Sequence, residues 1–220
     1  MSTEQTYIQM AIRFISVFLA YLISIGPAGY FRAWVAKKMG DTTAQENGLL
    51  TLDPFAHIDM FGLVSLALFG IGWGRNIPIN SENIQGRFRS IKIAIAFFSD
   101  TVIHFVLSIV GIFAFIGAVY IFQAMPSALV DQAILDAVLK VISVFIQLNI
   151  FLAAVCMIYN GVALALIKIN EQSEYEYSEY LFYGALFIPL LILLLWGPYL
   201  QGILQWFLNR AYLFIVWLVG

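Results

Sequence analysis

Two short pairs of polar residues are the part of this chain that could carry out chemistry. His57 and Asp59 lie close together in a polar loop, whereas Asp100 and His104 lie four residues apart in an apolar run. Residues four apart share one face of a helix. An Asp in the middle of a membrane span costs about 2.5 to 3.5 kcal/mol on insertion scales, so such residues are functional candidates.

Three interpretations of Asp100 and His104 stay open. They could form a mutually hydrogen-bonded pair facing the interior of a helical bundle, a polar contact to a partner subunit, or part of a proton or ion path. Two ligands alone make a poor zinc site, and no third is evident beside them. Asn149 and Asn160 are further polar candidates inside apolar runs, where a hydrogen bond between helices is the common role.

The composition is that of an integral membrane protein. Of 220 residues, 62% are hydrophobic and 11% are charged, whereas soluble domains are about half apolar and a quarter charged. The net charge of -2 and the lack of a basic stripe argue against a nucleic-acid partner. A single cysteine, Cys156, excludes an intramolecular disulfide.

Apolar runs long enough to cross a bilayer, about 20 residues each, occupy most of the chain. The run at 60–73 is too short to span, so we predict a re-entrant segment that dips into the membrane and returns. We expect one all-α membrane domain, residues 1–220: a polytopic transmembrane helical bundle with about five spans plus this segment. The predicted spans are 7–31, 91–122, 139–167, 183–196 and 203–218, the last two forming a C-terminal helical hairpin within 180–219.

The stretch from Ile25 to Gly62 carries a recognisable motif, IGPAGYFRAWVAKKMGDTTAQENGLLTLDPFAHIDMFG. It resembles the signature of the site-2 protease family, intramembrane zinc metalloproteases. There, a helix with H-E-x-x-H leads into A-x-x-A-x-x-x-G-D-x-T-A and then G-R-L-T-L-N-P-x-x-H-x-D-x-x-G. The loop residues that match without a gap include Gly40, Asp41, Thr51, Pro54, His57, Asp59 and Gly62.

A second match extends the resemblance beyond the short apolar run. GWGRNIPIN, from Gly72 to Asn80, resembles the family's G-W-A-K-P-V-P-V-N. The signature region therefore covers 25–89, and the central spans follow in 90–168. The resemblance implies a site-2-protease-like core.

The zinc-binding positions of the family carry other residues here. The register places Ala28 on the first His of H-E-x-x-H, Gly29 on the Glu and Arg32 on the second His. The family's third zinc ligand, an Asp, falls on Leu164. The motif needs two imidazoles to hold zinc and a carboxylate to act as base. A methyl group, a hydrogen and a guanidinium supply none of these, so we expect no catalytic residue, no metal, no cofactor and no enzyme activity.

The hypothesis that follows is a catalytically inactive site-2-protease-like protein, a pseudoprotease. It would act as a structural or accessory subunit or adaptor that binds other integral membrane proteins in a larger complex, since the family's substrate is a transmembrane helix. One alternative is an intramembrane metalloprotease with a metal site relocated to His57, Asp59, Asp100 and His104. Another is a proton- or ion-conducting subunit that uses Asp100 and His104. The plain role of His57 and Asp59 is to cap loop backbone.

Five further expectations complete the prediction. Pro27, which lacks an amide donor, predicts a kink at the end of the first span, and Arg32 is expected to pair with Asp41 or Asp59. Lys and Arg cluster in 32–59 and 74–92, which places these loops in the cytoplasm and the N-terminus outside. The N-terminus lacks the features of a cleaved signal peptide, and we expect a bacterial inner membrane.

Overall fold

The computed structural model describes residues 3–69, 72–125 and 132–170, and a few isolated helical positions further along. Within these ranges the chain is all-helical, which confirms the predicted fold class at that level, and its one β-bridge joins Ile58 to Gly74. Two short 3-10 helices, Pro54–His57 and Ser81–Asn83, lie in the loops. The α-helices are α1 Thr3–Met39, α2 Thr43–Glu46, α3 Met60–Phe69, α4 Arg89–Ala124 and α5 Gln132–Asn170.

Among the residues that the structure describes, three helices are long and apolar enough to cross a membrane. They are Phe14–Met39 within α1, Arg89–Ala124 and Gln132–Ile169. They correspond to the first three predicted spans. The predicted fourth and fifth spans, with the C-terminal hairpin 180–219 and the acidic loop before it, lie outside the described residues apart from isolated positions.

The first helix ends later than predicted. α1 runs without interruption through Pro27 to Met39, whereas the apolar pattern placed its end near Phe31. The reason is Arg32, whose charge looked like the start of a polar loop but which is only 3% exposed. Lys37 and Lys38 in the last turn suit the negative end of the helix dipole, and Gly40, with φ 111, ends the helix.

Close packing between α4 and α5 depends on a small residue. A Cβ placed on Gly111 would lie 2.7 Å from Ile146 Cγ1 and 3.1 Å from Phe145 Cδ1. Small residues let membrane helices approach each other closely. Further along, Ala96 of α4 and Ala163 of α5 lie in the same buried cluster as Ala36 of α1, so the three long helices share a core.

The segment between α2 and α4 closes on itself. α3 has ten residues, or about 15 Å, which is about half of a hydrocarbon core of about 30 Å. The stretches of chain before and after α3 meet at the Ile58–Gly74 bridge, where Arg75 N donates to His57 O at 2.7 Å. This closed path agrees with a segment that enters and returns on one side, and its depth in a bilayer stays a prediction.

Asp41 joins the end of α1 to the loop that precedes α4. Its carboxylate is fully buried and accepts four hydrogen bonds, from Thr43 N, Thr43 Oγ1, Asn80 N and Asn83 Nδ2. Burial alone would raise the pKa of Asp41, but these hydrogen bonds outweigh it and hold the pKa below its ordinary value. The ionised form is therefore the one that the fold stabilises.

Replacing Asp41 by Asn should destabilise the protein at neutral pH. A neutral amide presents one acceptor where the carboxylate has two, so we expect a loss of about 1.5 to 3 kcal/mol, measured by thermal unfolding in detergent. Because the folded pKa is depressed, the contribution is present above the unfolded value of about 3.9 and disappears as the pH falls through the folded pKa. The difference between wild type and Asp41→Asn should therefore shrink in acid. Asp136→Asn, at an exposed position of α5, is the control, and equal stability of Asp41→Asn and wild type at pH 7 would contradict this account.

Candidate functional site

Arg32 lies at the centre of a buried polar contact between α1, α4 and α5, which we call the Arg32 junction. Its Nη1 donates to Asp100 Oδ2 and Asn160 Oδ1, both at 2.6 Å, and to Phe97 O at 3.1 Å. The side chains of the ion pair are 3% and 13% exposed. The guanidinium also lies over the Phe97 ring, with Cζ 5.2 Å from its centroid.

Asn160 closes the junction from the side of α5. Its Oδ1 accepts from Arg32, and its Nδ2 donates to Asp100 Oδ1 at 2.8 Å. The same carboxylate oxygen accepts from Thr101 N at 2.6 Å. Both oxygens of Asp100 are thus hydrogen-bonded, as a buried carboxylate requires.

These contacts correct the predicted partner of Arg32. Neither Asp41 nor Asp59 pairs with it, because loop donors already occupy them: Asp41 binds the four groups described above, and Asp59 Oδ1 accepts from Gly62 N at 2.7 Å. The partner is Asp100, 68 residues further along the chain. Asp41 and Asp59 lie closer to Arg32 along the sequence than Asp100 does, but neither is its partner.

A second polar contact crosses the same three helices. His104 Nδ1 lies 3.0 Å from Asn149 Oδ1, and Asn149 Nδ2 donates to Ser24 Oγ at 2.9 Å. Because an amide oxygen only accepts, Nδ1 of His104 carries the proton. Of the three interpretations left open, the mutual hydrogen bond between Asp100 and His104 is not formed: both residues face the interior, but each hydrogen-bonds to a different Asn of α5.

The spacing of four residues on α4 suggested a contact between Asp100 and His104 themselves. The polar candidates Asn149 and Asn160 of α5 supply their partners through hydrogen bonds between helices. Sequence reasoning also missed Ser24 and Thr101. Their types carry no signal, since Ser and Thr in helices commonly bond to a backbone carbonyl of their own helix, as Ser24 Oγ does to Ala20 O.

His57 occupies the space beside Gly29. A Cβ on Gly29 would lie 2.6 Å and 2.7 Å from Cε1 and Cγ of the His57 ring, and closer still to Nδ1. The ring is 1% exposed, and its Nε2 lies 2.8 Å from Thr51 O, so Nε2 carries the proton. The buried Nδ1 has no protein partner. The retained loop is thus packed directly on the helix that carries the zinc-site positions.

The residues at the zinc-site positions do not fit zinc. Ala28 and Gly29 offer no donor atom, Arg32 is a cation bound to Asp100, and Leu164 packs against the apolar cluster around Val35. Across residues 3–69, 72–125 and 132–170, no three His, Cys, Asp or Glu side chains lie close enough to hold a metal ion. A catalytic zinc takes three protein ligands, so any such site in this chain needs ligands from beyond these ranges.

One curated protein is similar to part of this chain. The Bacillus subtilis (strain 168) protein named "Putative zinc metalloprotease YwhC" is 38% identical over 82 residues, which is 37% of this chain and 36% of the relative. The chain therefore matches about a third of that protein's length. The similarity supports a site-2-protease-like relation. No family model and no solved structure matches the chain.

This comparison contradicts the prediction that the chain is not an enzyme. The relative, of which the match covers about a third, is named as a "Putative zinc metalloprotease". The prediction rested on the residues at three positions of α1 and one of α5, and the name of the relative overturns it.

Removing the Arg32 side chain should be strongly destabilising. Arg32→Ala leaves Asp100 as an unpaired buried charge, and breaking a buried pair in this way costs about 3 to 5 kcal/mol. Lys37→Ala, at an exposed position of the same helix, removes the same charge without a buried partner and should cost less than about 0.5 kcal/mol. The measurement is thermal or denaturant unfolding in one detergent, and equal stability of the two variants would contradict a structural role for Arg32.

A methyl group on Gly29 should displace the His57 loop. Overpacking of this kind costs about 1 to 3 kcal/mol, and the displaced loop should be cut faster at residues 51–59 in limited proteolysis. Gly117 on α4 is the matched control, because a Cβ there meets nothing within 4 Å and Gly117→Ala should be neutral or slightly stabilising. Unchanged proteolysis of Gly29→Ala would show that the loop does not depend on this contact.

Proposed function

We propose that this chain is a site-2-protease-like membrane protein that binds transmembrane segments of other integral membrane proteins, as an accessory or adaptor subunit of a membrane complex. Binding a transmembrane segment is the step that an adaptor shares with an intramembrane protease. The observation that carries the proposal is the retained loop: His57 packs on Gly29, while the Arg32 junction joins α1, α4 and α5. Side-chain and backbone contacts of the described residues thus hold the framework around the signature region together.

An apolar stripe on α1 supplies a face on which a second helix could lie. Ile15, Leu19 and Ile23 are exposed and follow each other at intervals of four residues, which places them on one side of the helix. The opposite side of α1 packs on α3 and α5 through Tyr21, Leu66 and Leu152. A transmembrane helix packed along this stripe would lie beside the signature region.

Proteolysis is the second candidate, and the name of the Bacillus subtilis relative favours it. The described residues do not hold a zinc site, so this candidate requires metal ligands from other parts of the chain or from a partner. Ion conduction has no supporting observation, because Asp100 and His104 are each hydrogen-bonded into a separate contact between helices.

The proposal also includes the orientation of the chain in the membrane. Lys37, Lys38, Arg75 and Arg87 are exposed and lie near the ends of helices or in the loops around α3. By the excess of basic residues in cytoplasmic loops, we place loops 32–59 and 74–92 in the cytoplasm of a bacterium, with the N-terminus across the inner membrane. Arg32 does not contribute to this bias because it is buried.

Cross-linking in a bilayer tests binding and proteolysis together. The full chain, carrying a photo-reactive residue at Leu19, is reconstituted with a labelled single-span transmembrane peptide. The control carries the same residue at Val110, which is exposed on α4. We expect several-fold more cross-linked peptide from Leu19 than from Val110. Equal yields would overturn the binding proposal.

The same samples separate the two candidate functions. Zinc content and peptide cleavage are measured with and without a chelator. Stoichiometric zinc with chelator-sensitive cleavage would establish the protease and overturn a purely accessory role. Cross-linking from Leu19 without cleavage in zinc-supplemented buffer would support the adaptor.

A further inference from the structure

The C-terminal end of α1 and the N-terminal end of α4 lie together at one end of the bundle. Val35 and Ala36 of α1 pack in one cluster with Ile84 and Ile93. Asn83 Nδ2 donates to Asp41 Oδ1 at 2.9 Å, which ties the loop before α4 to the residue that follows α1. Both helices are long enough to cross a membrane, and a bilayer crossed by them would have its headgroups at this end.

Exposed cations are concentrated at this end. Lys37, Lys38 and Arg87 are exposed, whereas Arg89 and Lys92 support the loop by donating to the carbonyl groups of Ile84, Ser81 and Gln85. The acidic residues nearby are few.

Glu46 and Glu82 are the exposed acids within residues 40–50 and 80–88, and Asp41 is buried beneath its own hydrogen bonds. Asp53 is also exposed, but its neighbours Leu52 and Pro54 lie against Gly26, further from this end of α1. Within residues 37–50 and 80–92 there are five basic residues and three acidic ones. Asp41, the buried acid of the three, is shielded from a ligand.

Two of these cations rest on aromatic rings. Lys38 Nζ lies 5.7 Å from the centroid of the Trp34 ring, and Arg87 Cζ lies 5.0 Å from that of Phe88. Trp and basic side chains are the residues that anchor proteins at the membrane interface. Each pair presents a positive charge beside an apolar ring, which matches a lipid phosphate beside its acyl chain.

Phe88 is held in an unusual backbone conformation that turns its ring outward. It precedes the first residue of α4 with φ 67 and ψ 31, the left-handed region, which is a genuine outlier for a bulky residue. The ring is nevertheless 61% exposed, so burial in this chain does not compensate the strain. At the boundary of headgroups and acyl chains, the Phe88 ring would be removed from contact with water.

We propose that Arg87, Phe88, Trp34 and Lys38 form a docking site for the headgroup of an anionic phospholipid. The cations bind the phosphate groups, and the Phe88 ring inserts beside the first carbons of the acyl chains. The occupant is a lipid because both cation–aromatic pairs stand at the ends of membrane-length helices and carry the charge that an anionic leaflet attracts. This site is separate from the proposed binding of transmembrane segments and does not depend on it.

Lipid titration of the purified full chain, followed by native mass spectrometry, tests the site. The probes are phosphatidylglycerol and phosphatidylcholine with identical acyl chains. Wild type should bind phosphatidylglycerol more tightly, and Arg87→Ala or Lys38→Ala should each weaken that binding about five-fold. Lys140→Ala, an exposed cation near the start of α5 and hence at the other end of the bundle, should leave it unchanged.

Phe88→Gly separates a lipid contact from a structural role. Glycine adopts positive φ without strain, so this variant should unfold at the same or a higher temperature while retaining less of either lipid. Equal affinity of wild type for the two lipids, or the same small effect of Arg87→Ala and Lys140→Ala, would overturn the proposal. Unchanged lipid retention by Phe88→Gly would remove the ring from the site.

Discussion

The ion pair between Arg32 and Asp100 is the constraint on which the packing of the three long helices depends. Moving one charge into a medium of low dielectric costs several kcal/mol even after relaxation, so Arg32 can lie inside the bundle only beside a buried acceptor. Asp100 on α4 and Asn160 on α5 provide that acceptor. Each long helix therefore contributes one polar group to a single point, and the rotation of all three helices about their axes is restricted by it.

The second polar contact, from His104 through Asn149 to Ser24, joins the same helices at another level. Between and around the two contacts the helices are packed by small residues, of which Gly111 allows the closest approach. The loop that follows α1 packs against these helices, because His57 lies against Gly29. Asp41 binds the chain before α4 through Asn83. The signature region is thus a structural part of the bundle, whatever chemistry it carries.

The sequence predicted the described helices well, but it predicted the partners of their buried polar side chains poorly. Hydrophobic runs of sufficient length identified the three described spans, and the short run after the loop identified α3, since both follow from bilayer thickness. The partner of Arg32 was missed because pairing over 68 residues is a property of packing. A signal was present: an Arg and an Asp within apolar runs each need an opposite charge. The prediction of inactivity came from local residue types, and the relative named as a metalloprotease overturned it.

A double-mutant cycle on Arg32 and Asp100 tests the central claim most directly. Arg32→Met and Asp100→Leu, singly and together, are compared by unfolding in the same detergent. If the pair holds the helices together, each single variant leaves one buried charge unpaired and loses about 3 to 5 kcal/mol, whereas the double variant regains most of that loss. Additive losses, with no coupling between the two positions, would contradict the account.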